Sequence, residues 1–156
     1  MYRRAGRVQD SKFDFPIFKS LELDQEHGRY LMPAILRRDR KLIFIEFNRL
    51  GRSNIYSSRE GLELADQGNL KIIRAANGAR FLFVQYSDGT LRCATIKEST
   101  GVTLNLIYTA NRLALHGVVD SSGRSLTFNY GDEGIQSLTQ TWIANLEGVS
   151  RTWAIR

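Results

Sequence analysis

The stretch GVTLNLIYTANRLALHGVVDSSGRSLTFNY, residues 101–130, decides the fold. In its last segment Leu126, Phe128 and Tyr130 alternate with Ser125, Thr127 and Asn129. In its first, Leu104, Leu106 and Tyr108 alternate with Thr103, Asn105 and Ile107. Alternation with period two places one set of side chains on each face of a strand, so both segments read as half-buried β-strands. Between them, RLALHGVV (112–119) is a return strand carrying Leu113 and Leu115. DSSG (120–123) supplies the turn residues of a tight hairpin, with glycine where the chain needs positive φ.

Working outward, the unit repeats. Tyr86, Tyr108 and Tyr130 are spaced by 22 residues, and each follows a glycine (Gly78, Gly101, Gly123) by seven or eight positions. Upstream, GARFLFVQY (78–86) has the same form, with LRCATI (91–96) as its return strand. Downstream, GVSRTWAI from Gly148 reads as a fourth unit, with Trp153 in the place of Phe128. Turn residues recur at 76–78, 87–89, 97–101, 109–111, 120–123, 131–134 and 145–148. A turn about every 11 residues marks an antiparallel meander. The tyrosines are expected to form a ladder in the core or on a sheet face.

The first part of the chain is less regular. RKLIFIEFNRLG (40–51) is a strand with Leu42, Phe44 and Glu46 on one face and Ile43, Ile45 and Phe47 on the other. Apolar residues on both faces imply burial between layers. LMPAILRR (31–38) is placed beside it, with Pro33 confining its strand to an edge or an entry position. In SSREGLELADQG (57–68), Ser57 or Ser58 is suited to cap a single helical turn, which Gly61 weakens. KFDFPIFK (12–19) reads as an edge strand or a docking arm. The expectation is therefore one all-β domain, an antiparallel meander of repeated hairpins forming a curved sheet or partial shell, with at most one short helix. Residues 1–68 form an irregular head and 69–156 about four hairpin repeats.

The pattern Gly-x-x-Leu-x-Phe-x-Tyr, followed by a short turn and a Leu or Ile, resembles the YD repeat of Rhs proteins, teneurins and toxin-complex shells. GRSLTFNYGDEGIQSLT (123–139) carries it most closely, and DGTL (88–91) adds to it. The resemblance covers about residues 69–156 and is divergent, since Ser, Thr and Gly follow the three tyrosines where the family has Asp. It implies a hollow β-shell around a toxin or other cargo. Four units are too few to close one, so the chain is expected to work with other YD-repeat segments, with cargo, or with itself through edge strands. The resemblance also implies export or attachment to the bacterial cell surface. The N-terminal sequence, MYRRAGRVQDSKFDF, has no apolar core of a secretion signal.

Charge and chemistry narrow the function. The chain has 156 residues, a formal net charge of +6 and one cysteine, which excludes a disulfide framework or a Cys-rich zinc site. No apolar run approaches the ~20 residues that span a bilayer. Residues 1–60 hold 13 Lys+Arg against 8 Asp+Glu, and the remainder 9 against 8. The excess concentrates at Arg3, Arg4 and Arg7, and at Arg37, Arg38, Arg40 and Lys41. The second group, together with exposed aromatics such as Tyr56 or Trp142, is a candidate site for an acidic glycan or other anionic polymer. Its plainer reading is a solvated loop.

No catalytic, cofactor-binding or metal-binding residue is expected. Ser121, His116 and Asp120 lie too close along one strand and turn for a triad, and no nucleophile-elbow pattern is present. Cys93, without a nearby histidine, reads as a small core residue. Phe44-Ile45-Glu46-Phe47 is similar to the tail of an RNA-recognition strand, but Leu42 stands where that motif needs glycine, so no specific nucleic-acid partner is expected.

Overall fold

The computed structural model describes residues 13–14, 20–109, 114–132, 134–144 and 147–154. These contain fourteen strands, all paired antiparallel, and no helix. The strands are β1 (Phe13–Asp14), β2 (Ser20–Asp24), β3 (Arg29–Leu36), β4 (Lys41–Arg49), β5 (Ile55–Ser57), β6 (Glu63–Gln67) and β7 (Leu70–Arg74). They continue with β8 (Arg80–Gln85), β9 (Leu91–Lys97), β10 (Thr103–Tyr108), β11 (Leu115–Asp120), β12 (Ser125–Gly131), β13 (Gly134–Ala144) and β14 (Glu147–Ala154). The chain divides into two compact units, Met1–Cys93 and Ala94–Arg156, with the boundary inside β9.

The first unit is an eight-stranded closed barrel, not the open curved sheet the sequence led us to expect. Strands β2 to β9 follow one another in order, and β2 returns to pair with β9 through Ser20↔Arg92 and Leu21↔Leu91. Eight strands leave an interior just wide enough for side chains to fill. Tyr30, Met32 and Ala34 of β3 face Phe47, Ile45 and Ile43 of β4 across the register. The row continues from Tyr56 through Leu64 and Ile73 to Phe81. Phe47, Phe83, Met32, Ile45, Leu64, Ile73 and Cys93 are fully buried.

Three local expectations resolve here. The two faces of β4 divide as read, but only one is covered: Leu42 and Phe44 remain 58% and 53% exposed. The strand is a barrel wall and does not lie between layers. Pro33 sits opposite Phe44 on one side, in the gap where the other edge of β3 passes from its pairing with β2 to its pairing with β1. The helical turn at 57–68 is absent. Ser58 Oγ does accept an N–H, but from Leu62, and Ser58 closes a hairpin leading into β6. Of the 12–19 segment, Phe13–Asp14 form β1; the rest lies outside the described residues. The expected division at 68/69 falls within the barrel, because the first hairpin unit, β8 and β9, completes the barrel wall.

The second unit is a meander. Residues 95–97 of β9 pair with β10, and β10 to β14 follow in sequence order. Leu106, Leu115 and Phe128 form its buried cluster, against which Ile96, Tyr108, Val118, Leu126, Tyr130 and Leu138 pack. The Tyr130 hydroxyl donates to the Leu115 carbonyl, tying β12 to β11.

One turn recurs across the chain. At 58–62, 75–79, 86–90, 98–102 and 120–124, the N–H of the first residue bonds to the carbonyl of the fifth, and the N–H of the fourth to the carbonyl of the first. The fourth residue is glycine every time, with φ between 85° and 97°. In that region a Cβ crowds the backbone and glycine does not. Gly78, Gly101 and Gly123 are three of these five positions. Gly148 is not: it lies within β14 opposite Ile143. Equal spacing from an aromatic residue had put a strand glycine in register with turn glycines.

Candidate functional site

Three places gather polar or unpaired groups. The first is one end of the barrel. Asp66 and Lys71 flank the β6–β7 turn and lie directly opposite each other on the inward face. The Lys71 ammonium donates to Asp66 Oδ1 at 2.6 Å and to the Gly68 carbonyl. It lies 5.9 Å from the centre of the Tyr30 ring, a cation–π distance. The Tyr30 hydroxyl donates to Asp66 Oδ2 at 3.0 Å, and its ring meets Tyr56 edge-on at 5.1 Å. Burial by itself would raise the Asp66 carboxyl, but hydrogen bonds from Lys71, Tyr30 and the Gly68 N–H hold it below the usual value. Burial, together with the hydrogen bond to that carboxylate, pushes the Tyr30 phenol well above the ordinary tyrosine range.

Beside this cluster is an open pocket of about 500 Å³. Leu21, Leu23 and Leu91 give it apolar wall; Glu22, Gln25, Gln85 and Thr90 give it a mixed polar rim. Its cation, Lys71, is already neutralised by Asp66, so the pocket offers no unopposed charge to an anionic ligand.

The second place is the β3–β4 turn. Arg37, Arg38, Arg40 and Lys41 are all exposed there, with Asp39 Oδ1 accepting the Lys41 N–H at 3.2 Å. Arg40 takes φ of 59°, the left-handed region, which tightens the turn. Leu42 and Phe44 extend the exposed surface along β4. Tyr56, by contrast, is buried in the barrel, and Trp142 is half-buried on β13.

The third is the far edge of the meander. β13 and β14 run through eight consecutive register pairs without a bulge. The other edge of β14 pairs with no described strand. One face carries Leu138, Gln140 and Trp142 opposite Trp153, Arg151 and Val149. Trp153 is 41% exposed, with the Arg151 guanidinium 5.8 Å from its ring centre. The opposite face is a lattice of hydroxyls and one amide. Asn129 Nδ2 donates to Ser137 Oγ at 3.0 Å and Thr139 Oγ1 at 3.1 Å, and Thr139 Oγ1 lies 2.9 Å from Thr152 Oγ1.

The chain matches no family model, no curated protein and no solved structure. Function has to be read from these three surfaces.

The residues singled out from sequence fall as follows. Tyr108 and Tyr130 share the meander cluster; Tyr86 is half-buried in the first unit, as the first residue of the 86–90 turn. His116, Ser121 and Asp120 are not joined: the Asp120 carboxylate is taken by Ser122 and Arg124, and Ser121 Oγ accepts the Thr103 N–H. Cys93 is a buried thiol, outside any disulfide, in the barrel core. No helix among the described residues is long and apolar enough to cross a membrane. The Tyr30–Asp66–Lys71 cluster was missed. Its signal was present as an acid and a base equidistant from the Gly68–Asn69 turn, which makes them cross-strand neighbours.

Proposed function

We propose that this chain is a structural module, without catalytic activity, that adds its meander to other β-segments in the manner of YD-repeat shells of Rhs-type bacterial toxins or surface proteins. In this reading β10–β14 are a stretch of curved shell wall, and β14 is where the wall continues. The observation that carries it is the edge of β14 that no described strand pairs: eight residues, without proline or bulge, whose outward backbone donors and acceptors suit strand addition. The glycine turn supports the same reading, because it recurs before β8, β10 and β12, the strands that open the hairpin units. The closed hydrogen bonding of the barrel-end cluster favours a structural role for Tyr30, Asp66 and Lys71.

The test is light scattering of the chain alone and with a separately produced YD-type hairpin segment. A complex is expected, and Ser150→Pro, which removes a backbone donor in mid-strand, abolishes it. A strictly monomeric chain that binds no such segment overturns the proposal.

A second reading is favoured by the exposure of all four cations on the β3–β4 turn: binding of an acidic glycan or similar polymer. Retention on heparin is then expected to fall steeply with salt and to disappear when Arg37, Arg38, Arg40 and Lys41 are replaced together. Retention that survives the replacement removes this reading.

A further inference from the structure

The edge of β14 carries a charge pattern that selects its partner. On one face of the strand, alternate positions read Glu147, Val149, Arg151: an acid, a β-branched residue and a base. On the other face, Gly148 and Ser150 are small. We propose that β14 pairs antiparallel with β14 of a second copy of this chain, about a two-fold axis at Val149. Glu147 of each copy then lies opposite Arg151 of the other. The inference rests on the reading of β14 as a strand-adding edge and names its occupant.

Symmetry limits the choices. A two-fold axis perpendicular to the sheet keeps like faces together only where a residue pairs with itself. Centred on Arg151, the register sets two guanidiniums against each other, which is unfavourable. Centred on Ser150, it sets Arg151 against Val149 and Glu147 against Trp153, leaving both charges without a direct partner. Centred on Val149, it makes two acid–base pairs around a β-branched pair. Trp142 of β13 already stands opposite Val149. The new row across four strands is therefore Trp142, Val149, Val149, Trp142, an aromatic–aliphatic ladder of the kind that stabilises sheets. Gly148 has no side chain to crowd Ser150 of the second copy, and within the chain the space over it is open. Glu147 and Arg151 are both exposed and so reachable.

The experiment is sedimentation equilibrium across a concentration series, with circular dichroism to show that each variant is folded. Wild type is expected to dimerise. Glu147→Arg puts base against base and Arg151→Glu acid against acid, so each variant alone should dimerise about tenfold or more weakly. Mixed in equal amounts, the two should form a heterodimer near wild-type strength, because every 147–151 contact is again acid to base. The double variant E147R/R151E should recover the homodimer. A monomeric wild type, a dimer that neither single substitution weakens, or a mixture that does not recover overturns the proposal. Titration of the same samples with a YD-type hairpin segment separates the two levels. A wild-type chain that stays monomeric alone yet binds the segment defeats the homodimer and leaves the strand-adding function standing.

Discussion

The barrel and the meander are built from the same hairpin and the same glycine turn, yet they end differently. The barrel disposes of its edges by bringing β2 back to β9, and only two residue pairs make that seam. The meander has no returning strand among the described residues, and it keeps an edge at β14. Burial follows closure. The barrel interior holds seven fully buried large side chains or thiols, from Phe47 to Cys93, whereas the meander cluster rests on Leu106, Leu115 and Phe128. Hairpin units of one design thus become a sealed core or an extendable sheet, according to whether a strand distant in sequence comes back.

The largest effect that sharpens this contrast is a cavity in the barrel. Phe47→Ala removes a ring with no exposure and is expected to cost about 3–5 kcal/mol of unfolding free energy. Phe128→Ala opens a site that is already one-sided and should cost less, about 2–3 kcal/mol. Urea titration measures both, and hydrogen exchange adds the spatial reading. Amides of β3, β4, β7 and β8 are expected to exchange more slowly than those of β13 and β14. Equal costs and equal protection would erase the distinction between the two regions.

Next is the polar end of the barrel. Asp66→Asn keeps the shape and removes the charge that answers Lys71, whose residue is 8% exposed. A buried cation left short of its acceptor is expected to cost roughly 1–3 kcal/mol, read again from urea midpoints. Lys71→Met with Asp66→Asn should recover part of that loss, since the orphaned ammonium goes with its partner. Full cost in the double variant would mean that the cluster acts through Tyr30 and the turn, not through the ion pair.

A smaller effect probes the repeat itself. Gly101→Ala forces a Cβ into φ of 97° and should cost roughly 1–2 kcal/mol, although nothing crowds the site. Gly148→Ala, in extended strand, should stay within about 0.5 kcal/mol. If both glycines cost the same, the five-turn pattern does not set the repeat.

The same residues explain what could be read from sequence. Strands β8, β10 and β12 were legible because alternation and a preceding glycine coincide, and β4 because its two faces alternate cleanly. Closure was not legible. Ser20 and Leu21 meet Arg92 and Leu91 about seventy positions away, and two residue pairs leave no periodic trace. The 57–62 segment was ambiguous because a serine accepting an N–H four residues on serves a hairpin turn as well as a helix start. Gly61 was the deciding residue, since it is the same turn glycine as Gly78, Gly89, Gly101 and Gly123. Tracking tyrosines drew attention to the wrong mark: the turns before the strands repeat, while those after Tyr108 and Tyr130 do not. The acid–base symmetry of β14 acquires meaning only with its pairing register in hand.

The smallest effect separates the regions by pH. In the meander turn 120–124, the Ser122 hydroxyl and the Arg124 and Ser122 N–H groups all donate to Asp120, and its pKa is lowered to about 2. A carboxyl lowered in the folded state contributes stability above its unfolded value of about 3.9, and that contribution is lost as pH falls through about 2. In the barrel, the Tyr30 phenol is raised, so its contribution is present below the ordinary tyrosine value of about 10 and is lost as pH rises beyond it. Asp66, lowered too, gives the barrel an acid limb as well. Alkali should therefore act on the first unit through Tyr30 and through Tyr86, whose phenol burial also raises, and Tyr30→Phe should flatten part of that limb in urea midpoints measured against pH. Asp120→Asn should flatten part of the acid limb and leave the alkaline one unchanged. A carboxyl NMR titration placing Asp120 near 4 would show that its turn is open in solution, and with it the hairpin that joins β11 to β12.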